Sequence, residues 1–297
     1  MRVFMTGASG YVGSAVAASL VRGGHEVTAL SRSEASDAAI RLTGASPVRG
    51  ALGAVAAAGR AAAGHDAFVH AAVDYGLGPP GDREAIDALL AAARAEARPA
   101  VVVYTSGVWV LGETAAPAGE DASTARPAAA VAWRPAHEQA VLTGAGGSVA
   151  TAVIRPGIVY GEKRGLVSPW FEQGRTRGWV EIVGQGGNRW AFVHRDDLAD
   201  LYRRVVESRA SGVFHGVDGT PVRVLDAAAA ACRAAGGGGE VRPLPLEEAR
   251  RGLGPMADAL VLDQVATAPR SSALGWKPRR PSFLHAAAEA AREAAAG

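Results

Sequence analysis

The chain opens on a short apolar run, Met1-Arg-Val-Phe-Met-Thr6, which passes at once into Gly7-Ala-Ser-Gly10-Tyr-Val-Gly13. Helix-forming residues follow from Ser14 to Arg22 and stop at Gly23-Gly24. A strand, a glycine turn and a helix in that order leave few folds open. They predict the start of a βαβ unit whose turn holds a pyrophosphate. Gly7 lets the chain reverse where a Cβ would clash. Gly10 leaves room for the phosphates, and Gly13 lets the helix pack close. The helix N-terminus then turns unpaired N–H groups toward the anion.

The rest of the chain extends this beginning. Val27–Leu30, Pro47–Gly50, Asp66–Ala72, Ala100–Ser106 and Val149–Ile154 read as further strands. Alanine-rich segments near 11–22, 53–63, 82–97 and 134–144 read as helices between them. Alternating strands and helices predict an α/β fold, a doubly wound parallel Rossmann sheet. Strands without polar alternation fit a sheet covered on both faces. Residues 113–130 read as a loop, and a helix is expected near 167–177. Trp190–Val193 reads as a return of strand, followed by helix near 197–207, strand near 212–217 and a last helix from 281 to 296. Gly236–Gly239 reads as a surface turn. The expected division is a dinucleotide-binding domain over 1–161 and a small C-terminal substrate lobe over 162–297, with 190–210 returning to the first domain.

Composition narrows the function. A length of 297 residues suits one α/β domain with an appended lobe. A net charge of +2, with arginines scattered, gives no basic stripe for nucleic acid. No apolar run approaches the ~20 residues of a membrane span. The N-terminus runs straight into a core strand, which leaves no signal peptide, and the single cysteine, Cys232, fits a reducing cytoplasm. The seven histidines show no metal-ligand spacing. Asp196-Asp197 reads as a helix-opening pair.

The second strand ends at Leu30-Ser31-Arg32-Ser33. In this fold that end faces the adenosine ribose, where an acid selects NAD. Here Arg32 stands ready for a 2′-phosphate, with Ser31 and Ser33 as donors, so NADP(H) is the expected cofactor. His70 ends the fourth strand and reads as a packed core histidine, while Ala71 and Ala72 leave room for the cofactor.

Thr6-Gly7-x-x-Gly10-x-x-Gly13, His70-Ala-Ala72, Tyr104-Thr-Ser-Gly-Val-Trp-Val-Leu-Gly112 and Arg155-Pro-Gly-Ile-Val-Tyr-Gly161 resemble the short-chain dehydrogenase/reductases, in their extended or atypical branch. Trp190–Ala199 and Leu274-Gly-Trp-Lys-Pro278 are similar to later landmarks of that branch. The resemblance covers nearly the whole chain. It implies cofactor contacts from Gly7, Ser9, Gly10, Tyr11, Val12, Gly13, Ser31, Arg32, Leu52, Ala71, Ala72, Thr105, Pro156 and Gly157.

It also implies a catalytic serine after the fifth strand and a Tyr-x-x-x-Lys pair on the next helix. The phenol exchanges the proton, and the lysine lowers its pKa. The pair is absent. Four residues after Tyr11, Tyr75, Tyr104, Tyr160 and Tyr202 stand Ala15, Pro79, Val108, Arg164 and Val206. Aligning on Glu138 puts Ala130 and Arg134 at the two positions; a later alignment puts Trp133 and His137 there. Ser106 and His137 are the remaining candidates for proton transfer. Trp109, Trp133, Trp170 and Trp190 are candidates to line a site for a flat, apolar small-molecule aromatic substrate. The expectation is an NADPH-dependent ketoreductase; the resemblance to atypical members of this superfamily that lack the pair implies a bulky aromatic polyketide, angucyclinone-like, as substrate and a role in antibiotic biosynthesis. The alternatives are a non-catalytic NADP(H) sensor and a nucleotide-sugar epimerase or dehydratase.

Overall fold

The computed structural model describes residues 1–52, 61–74, 76–95, 98–114 and 116–296. Most of the helix expected at 53–63, and the last two residues of the one expected at 82–97, lie outside the described residues. The chain divides into two units. Unit 1 holds Met1–Ser106, Trp133–Arg155 and Ala199–Phe214; unit 2 holds Gly107–Ala132, Pro156–Leu198 and His215–Gly297.

Unit 1 begins with β1 (Arg2–Thr6), α1 (Tyr11–Arg22), β2 (Glu26–Ser31), α2 (Glu34–Leu42), β3 (Ser46–Arg49) and β4 (Ala67–His70). It continues with α3 (Gly78–Ala95), β5 (Ala100–Thr105), α4 (Arg134–Leu142) and β6 (Val149–Pro156). A seven-stranded sheet runs in the order β11-β6-β5-β4-β1-β2-β3, where β11 is Gly212–Gly216. Every pairing from β3 to β6 is parallel. The strands are buried on both faces: Val3, Phe4, Met5, Phe68, Val69 and Val101 expose nothing. The strand order reverses beside β1 and β4, the place where α/β sheets bind ligands at their C-terminal edge.

Register explains what collects at that edge. Phe4 pairs with Phe68, and Phe68 with Val102; two residues on, Thr6 pairs with His70, and His70 with Tyr104. Side chains two apart on one strand share a face. Thr6, His70 and Tyr104 therefore continue, at the strand ends, the row that Phe4, Phe68 and Val102 begin. Ile86 and Leu89 of α3 and Val141 of α4 share that row's apolar cluster. The buried stripe of α3 runs through Asp82, Ala85, Ile86, Leu89 and Ala93, so Asp82 is a carboxylate on an apolar face.

Unit 2 contains β7 (Ile158–Tyr160), α5 (Ser168–Arg177), β8 (Trp179–Val183), β9 (Arg189–Trp190) and β10 (Phe192–His194). The helix α6 (Arg195–Ser208) begins in unit 2 and ends in unit 1. After β11 come β12 (Val222–Arg223), α7 (Val224–Ala234), β13 (Glu240–Leu244), α8 (Leu246–Leu253), α9 (Pro255–Leu260), α10 (Pro269–Ala273) and α11 (Phe283–Ala296). Its core is aromatic: Tyr160, Trp170, Phe171, Trp190, Phe192 and Phe283 cluster with alanines of α7 and α11. Phe192 and Phe283 stack at 4.7 Å. Asp197 ties a later segment in place: its carboxylate accepts from the Arg280 N–H at 2.9 Å, and its carbonyl from the Trp276 indole at 2.8 Å. The turn at Gly236–Gly239 lies at the surface, with Gly236 and Gly238 exposed, and only Gly237 packs closely: a Cβ there would lie 2.6 Å from Cys232 Sγ. No described helix is long and apolar enough to cross a membrane.

Candidate active site

The turn after β1 forms a cradle that a side chain would fill. Gly7 has φ +80°, and a Cβ there would lie 2.4 Å from the Ala71 carbonyl oxygen. A Cβ on Gly13 would meet the Gly7 carbonyl oxygen at 2.1 Å, so Gly13 lets α1 close on the turn itself. At Gly10 a Cβ would meet only the Gly7 oxygen, at 3.1 Å, which leaves the outer side of the turn open. Gly10 caps α1 without a side-chain bond, and no acid stands in the first turn. The helix therefore presents its first N–H groups to an anion. Ser9, Tyr11 and Val12 are half-buried around this turn, and Ala71 and Ala72 follow β4 beside it. The arrangement fits the pyrophosphate of a dinucleotide.

At the end of β2, Ser31 donates to the Ser33 carbonyl (3.1 Å), and the Ser33 hydroxyl caps α2 by accepting from Ser36 N–H (3.1 Å). Both hydroxyls thus serve the local turn. Arg32 points outward with its side chain 74% exposed and meets Asp74 at 3.2 Å. Such an exposed pair is weak and easily exchanged for a better anion. Leu52 is half-buried against the apolar cluster of unit 1.

A hydrogen-bonded network occupies the row at the strand ends. Asp82 is its hub. Asp82 Oδ1 lies 3.2 Å from His70 Nε2, and Oδ2 lies 2.7 Å from His137 Nδ1 and 3.0 Å from the Tyr104 hydroxyl. Burial raises the Asp82 pKa, but the bonds from His70, His137 and Tyr104 outweigh it and hold the carboxyl below its usual range. An ionised carboxylate only accepts, so His70 Nε2, His137 Nδ1 and the Tyr104 hydroxyl all donate. His70 Nδ1 is hydrogen-bonded to Thr6 Oγ1, 2.6 Å away. Burial pushes the Tyr104 phenol far above its ordinary pKa, and the phenol accepts from Arg134 Nη1 at 3.1 Å. The same Arg134 nitrogen donates to the Thr105 carbonyl at 2.8 Å, and Thr105 Oγ1 accepts from Tyr202 at 2.7 Å. His137 is left with Nε2 unpartnered among the described residues. Its ring packs edge-on against Trp133, which Arg134 covers at 4.5 Å.

Ser106 has a different partner. Its hydroxyl donates to Glu138 Oε1, and Arg155 grips the other oxygen at 2.6 Å. Glu138 and Arg155 are almost wholly buried, a pair that fixes α4 to the end of β6. With its proton given to Glu138, Ser106 can only accept. Of the two sequence candidates, His137 is the one with a free nitrogen.

The remaining sequence candidates lie in unit 2, apart from Trp133. Pro156 ends β6, and Gly157 follows it; a Cβ on Gly157 would lie 2.4 Å from the Ala191 carbonyl oxygen, which gives the glycine a packing reason. Trp109 is half-buried against the aromatic core. Trp170 and Trp190 stack at 5.4 Å with 10° between their planes and wall a cavity of about 590 Å³.

Residues 3–215 match the family described as NAD dependent epimerase/dehydratase. The chain belongs to that family. It is thereby an NAD(P)-dependent oxidoreductase or epimerase of the extended short-chain type. The 2-alkyl-3-oxoalkanoate reductase of Stenotrophomonas maltophilia is 29% identical over 71% of this chain and 67% of its own. The 4-hydroxy-2-methyl-3-oxo-4-farnesyl-3,4-dihydroquinoline-1-oxide ketoreductase of Stigmatella aurantiaca is 29% identical over 84% of this chain and 78% of its own. In fold, the human epimerase family protein solved with NADPH superposes with a TM-score of 0.78 at 23% identity, covering 98% of this chain and 99% of that one.

As a member of that family, this chain builds its site from residues the sequence undervalued. Arg134 stands where alignment on Glu138 puts the lysine, and it supplies a cation to Tyr104 and Thr105. His70 is packed, as expected of a core histidine, yet it also fixes one oxygen of Asp82. Asp82 itself was missed. The signal was present: it begins the apolar stripe 82, 85, 86, 89, 93 of α3.

Proposed function

We propose that this protein is an NADPH-dependent ketoreductase in which His137, oriented by Asp82, exchanges the proton at the substrate oxygen. The observation that carries the reading is the 2.7 Å bond between His137 Nδ1 and Asp82 Oδ2, on the helix from which the family's tyrosine and lysine are missing. A bound nicotinamide supplies the hydride. Unit 1 provides the dinucleotide site: the Gly7–Gly13 turn for the pyrophosphate, and Arg32 for a 2′-phosphate in exchange for Asp74. Unit 2 provides the substrate lobe.

His137 does the acid's work by geometry. Asp82 holds Nδ1 and leaves Nε2 to the carbonyl oxygen, the division of labour seen in other His–Asp pairs. In reduction an imidazolium gives its Nε2 proton to the oxygen and returns to neutral with Nδ1 still donating to Asp82; solvent restores the proton. Asp82 stays ionised throughout because its pKa is depressed. Ser106 accepts a hydrogen bond without giving one. A positioned acid of this kind contributes ~10²–10⁴-fold.

Two relatives named for ketone reduction support a ketone rather than a sugar as substrate. The tryptophans of unit 2 support a bulky aromatic one, of which an angucyclinone-like polyketide in antibiotic biosynthesis is the specific form proposed. The test is NADPH oxidation, followed at 340 nm, with a panel of polycyclic aromatic ketones. Consumption with stoichiometric alcohol supports the reading. Tight NADPH binding with no consumption on any ketone makes the protein a sensor instead.

A further inference from the structure

The cavity in unit 2 has a chemistry that its tryptophans alone do not define. Its walls are Trp170, Trp190, Ile182, Val183, Leu244 and Leu260, with Val224, Pro169, Ala249 and Gly252 filling between them. At about 590 Å³ it falls within the ~300–1,000 Å³ of small-molecule sites. Leu166 and Leu253, which also line it, are 39% and 45% exposed. A mostly apolar concavity with a few polar groups at its wall is the usual form of a small-molecule site.

The polar groups of the lining are Gln173, Glu181 and Glu248. Gln173 Oε1 accepts from the Glu181 N–H at 2.8 Å, so its amide nitrogen is the group left to a ligand. Among the described residues, neither the Glu181 nor the Glu248 carboxylate has an ion-pair or hydrogen-bond partner. Among the described residues, no arginine, lysine or histidine lines the cavity. The Trp190 indole N–H is already given to the Leu260 carbonyl at 3.1 Å. An anion entering here meets two carboxylates of its own sign, the half-buried Glu181 within and the exposed Glu248 at the rim, and no cation among the lining residues.

We propose that this cavity binds a flat, apolar ligand that is uncharged or cationic and carries hydrogen-bond donors toward Glu181 and Glu248, and that it rejects carboxylates and phosphates. Ring hydroxyls and amines are the groups that satisfy both acids. The inference goes beyond the ketone reading and concerns this cavity of unit 2 alone: anionic ligands, nucleotide diphosphates among them, are excluded from it.

The test is calorimetry on the full chain with three ring-matched probes: 2-naphthol, 2-naphthylmethylamine and 2-naphthoate. The expected result is binding of the first two at least tenfold tighter than of the third. In Glu181→Gln/Glu248→Gln the preference over naphthoate falls below threefold. In Leu253→Arg, a change at an exposed position on the cavity's lip, binding of 2-naphthol weakens at least fivefold. Equal affinity for all three probes in the wild type overturns the proposal, as does no binding of naphthol or amine. Unchanged naphthol binding in Leu253→Arg overturns the assignment to this cavity. Because turnover is not read, failure here leaves the role of His137 to its own kinetic test.

Discussion

Replacing Asp218 by Asn removes a penalty that the fold carries at neutral pH. Asp218 follows β11 and is 9% exposed. Its Oδ1 accepts from the Thr220 N–H at 2.8 Å, while Oδ2 has no hydrogen-bond partner among the described residues. Burial pushes its carboxyl from 3.8 up to about 8; nearby Asp197 adds to the rise, and the Thr220 and Phe283 amides oppose it. Unfolded, the group ionises near pH 4. Between about pH 4 and pH 8 the native state therefore holds a proton that the unfolded state has lost, and stability falls as pH rises. Each pH unit in that window costs ~1.4 kcal/mol, so the whole window is worth on the order of 5 kcal/mol. Asn copies the protonated shape, keeps an acceptor for Thr220 and does not titrate. Urea unfolding of both proteins at pH 4.5, 6 and 8 gives the difference. The variant should match the wild type at pH 4.5 and exceed it progressively, by several kcal/mol at pH 8. A difference that stays constant from pH 4.5 to 8 refutes the reasoning, because it leaves no proton linked to folding at this site.

Further outcomes follow from the site. Arg32→Ala should weaken NADPH by about tenfold to a hundredfold, the ~1.5–3 kcal/mol of one charge-assisted bond, and leave NADH within twofold; titration with both cofactors measures it. Its stability should change by less than ~0.5 kcal/mol, since the pair with Asp74 is exposed. Asp82→Asn should cut ketone reduction by ~10²–10⁴-fold by mis-setting the His137 tautomer, with NADPH affinity retained. The wild-type contribution of Asp82 to stability is complete above about pH 4 and is lost as pH falls through its depressed native value, so this variant should lack that acid limb in unfolding titrations. Glu138→Ala leaves Arg155 buried without its carboxylate and should cost ~3–5 kcal/mol in denaturant unfolding.

What could be read from the residues divides along a physical line. The opening strand, turn and helix were legible because Gly7 and Gly13 sit where no Cβ fits, and the glycine spacing that marks this is local. The strands β4 to β6 were legible because both faces are buried and the sequence shows unbroken apolar runs. The pairing of β8 with β13 was not, since residues near 180 and 240 meet only in the fold. The candidate site was half legible. Ser106 and His137 are candidates from position on the chain, whereas Asp82 falls on the first residue of the helix expected at 82–97, where its burial is not evident. In the structure α3 begins at Gly78, which buries Asp82 against the sheet. The register Thr6–His70–Tyr104 is long-range, so no local pattern announced that a core histidine would also orient a carboxylate.

The most direct measurement is ketone reduction by His137→Gln, with kcat, KM and NADPH affinity determined side by side with wild type. The account predicts a fall in kcat of ~10²–10⁴-fold while NADPH affinity stays within threefold. Wild-type turnover in His137→Gln would contradict it, because the proton would then reach the substrate without the imidazole that Asp82 holds.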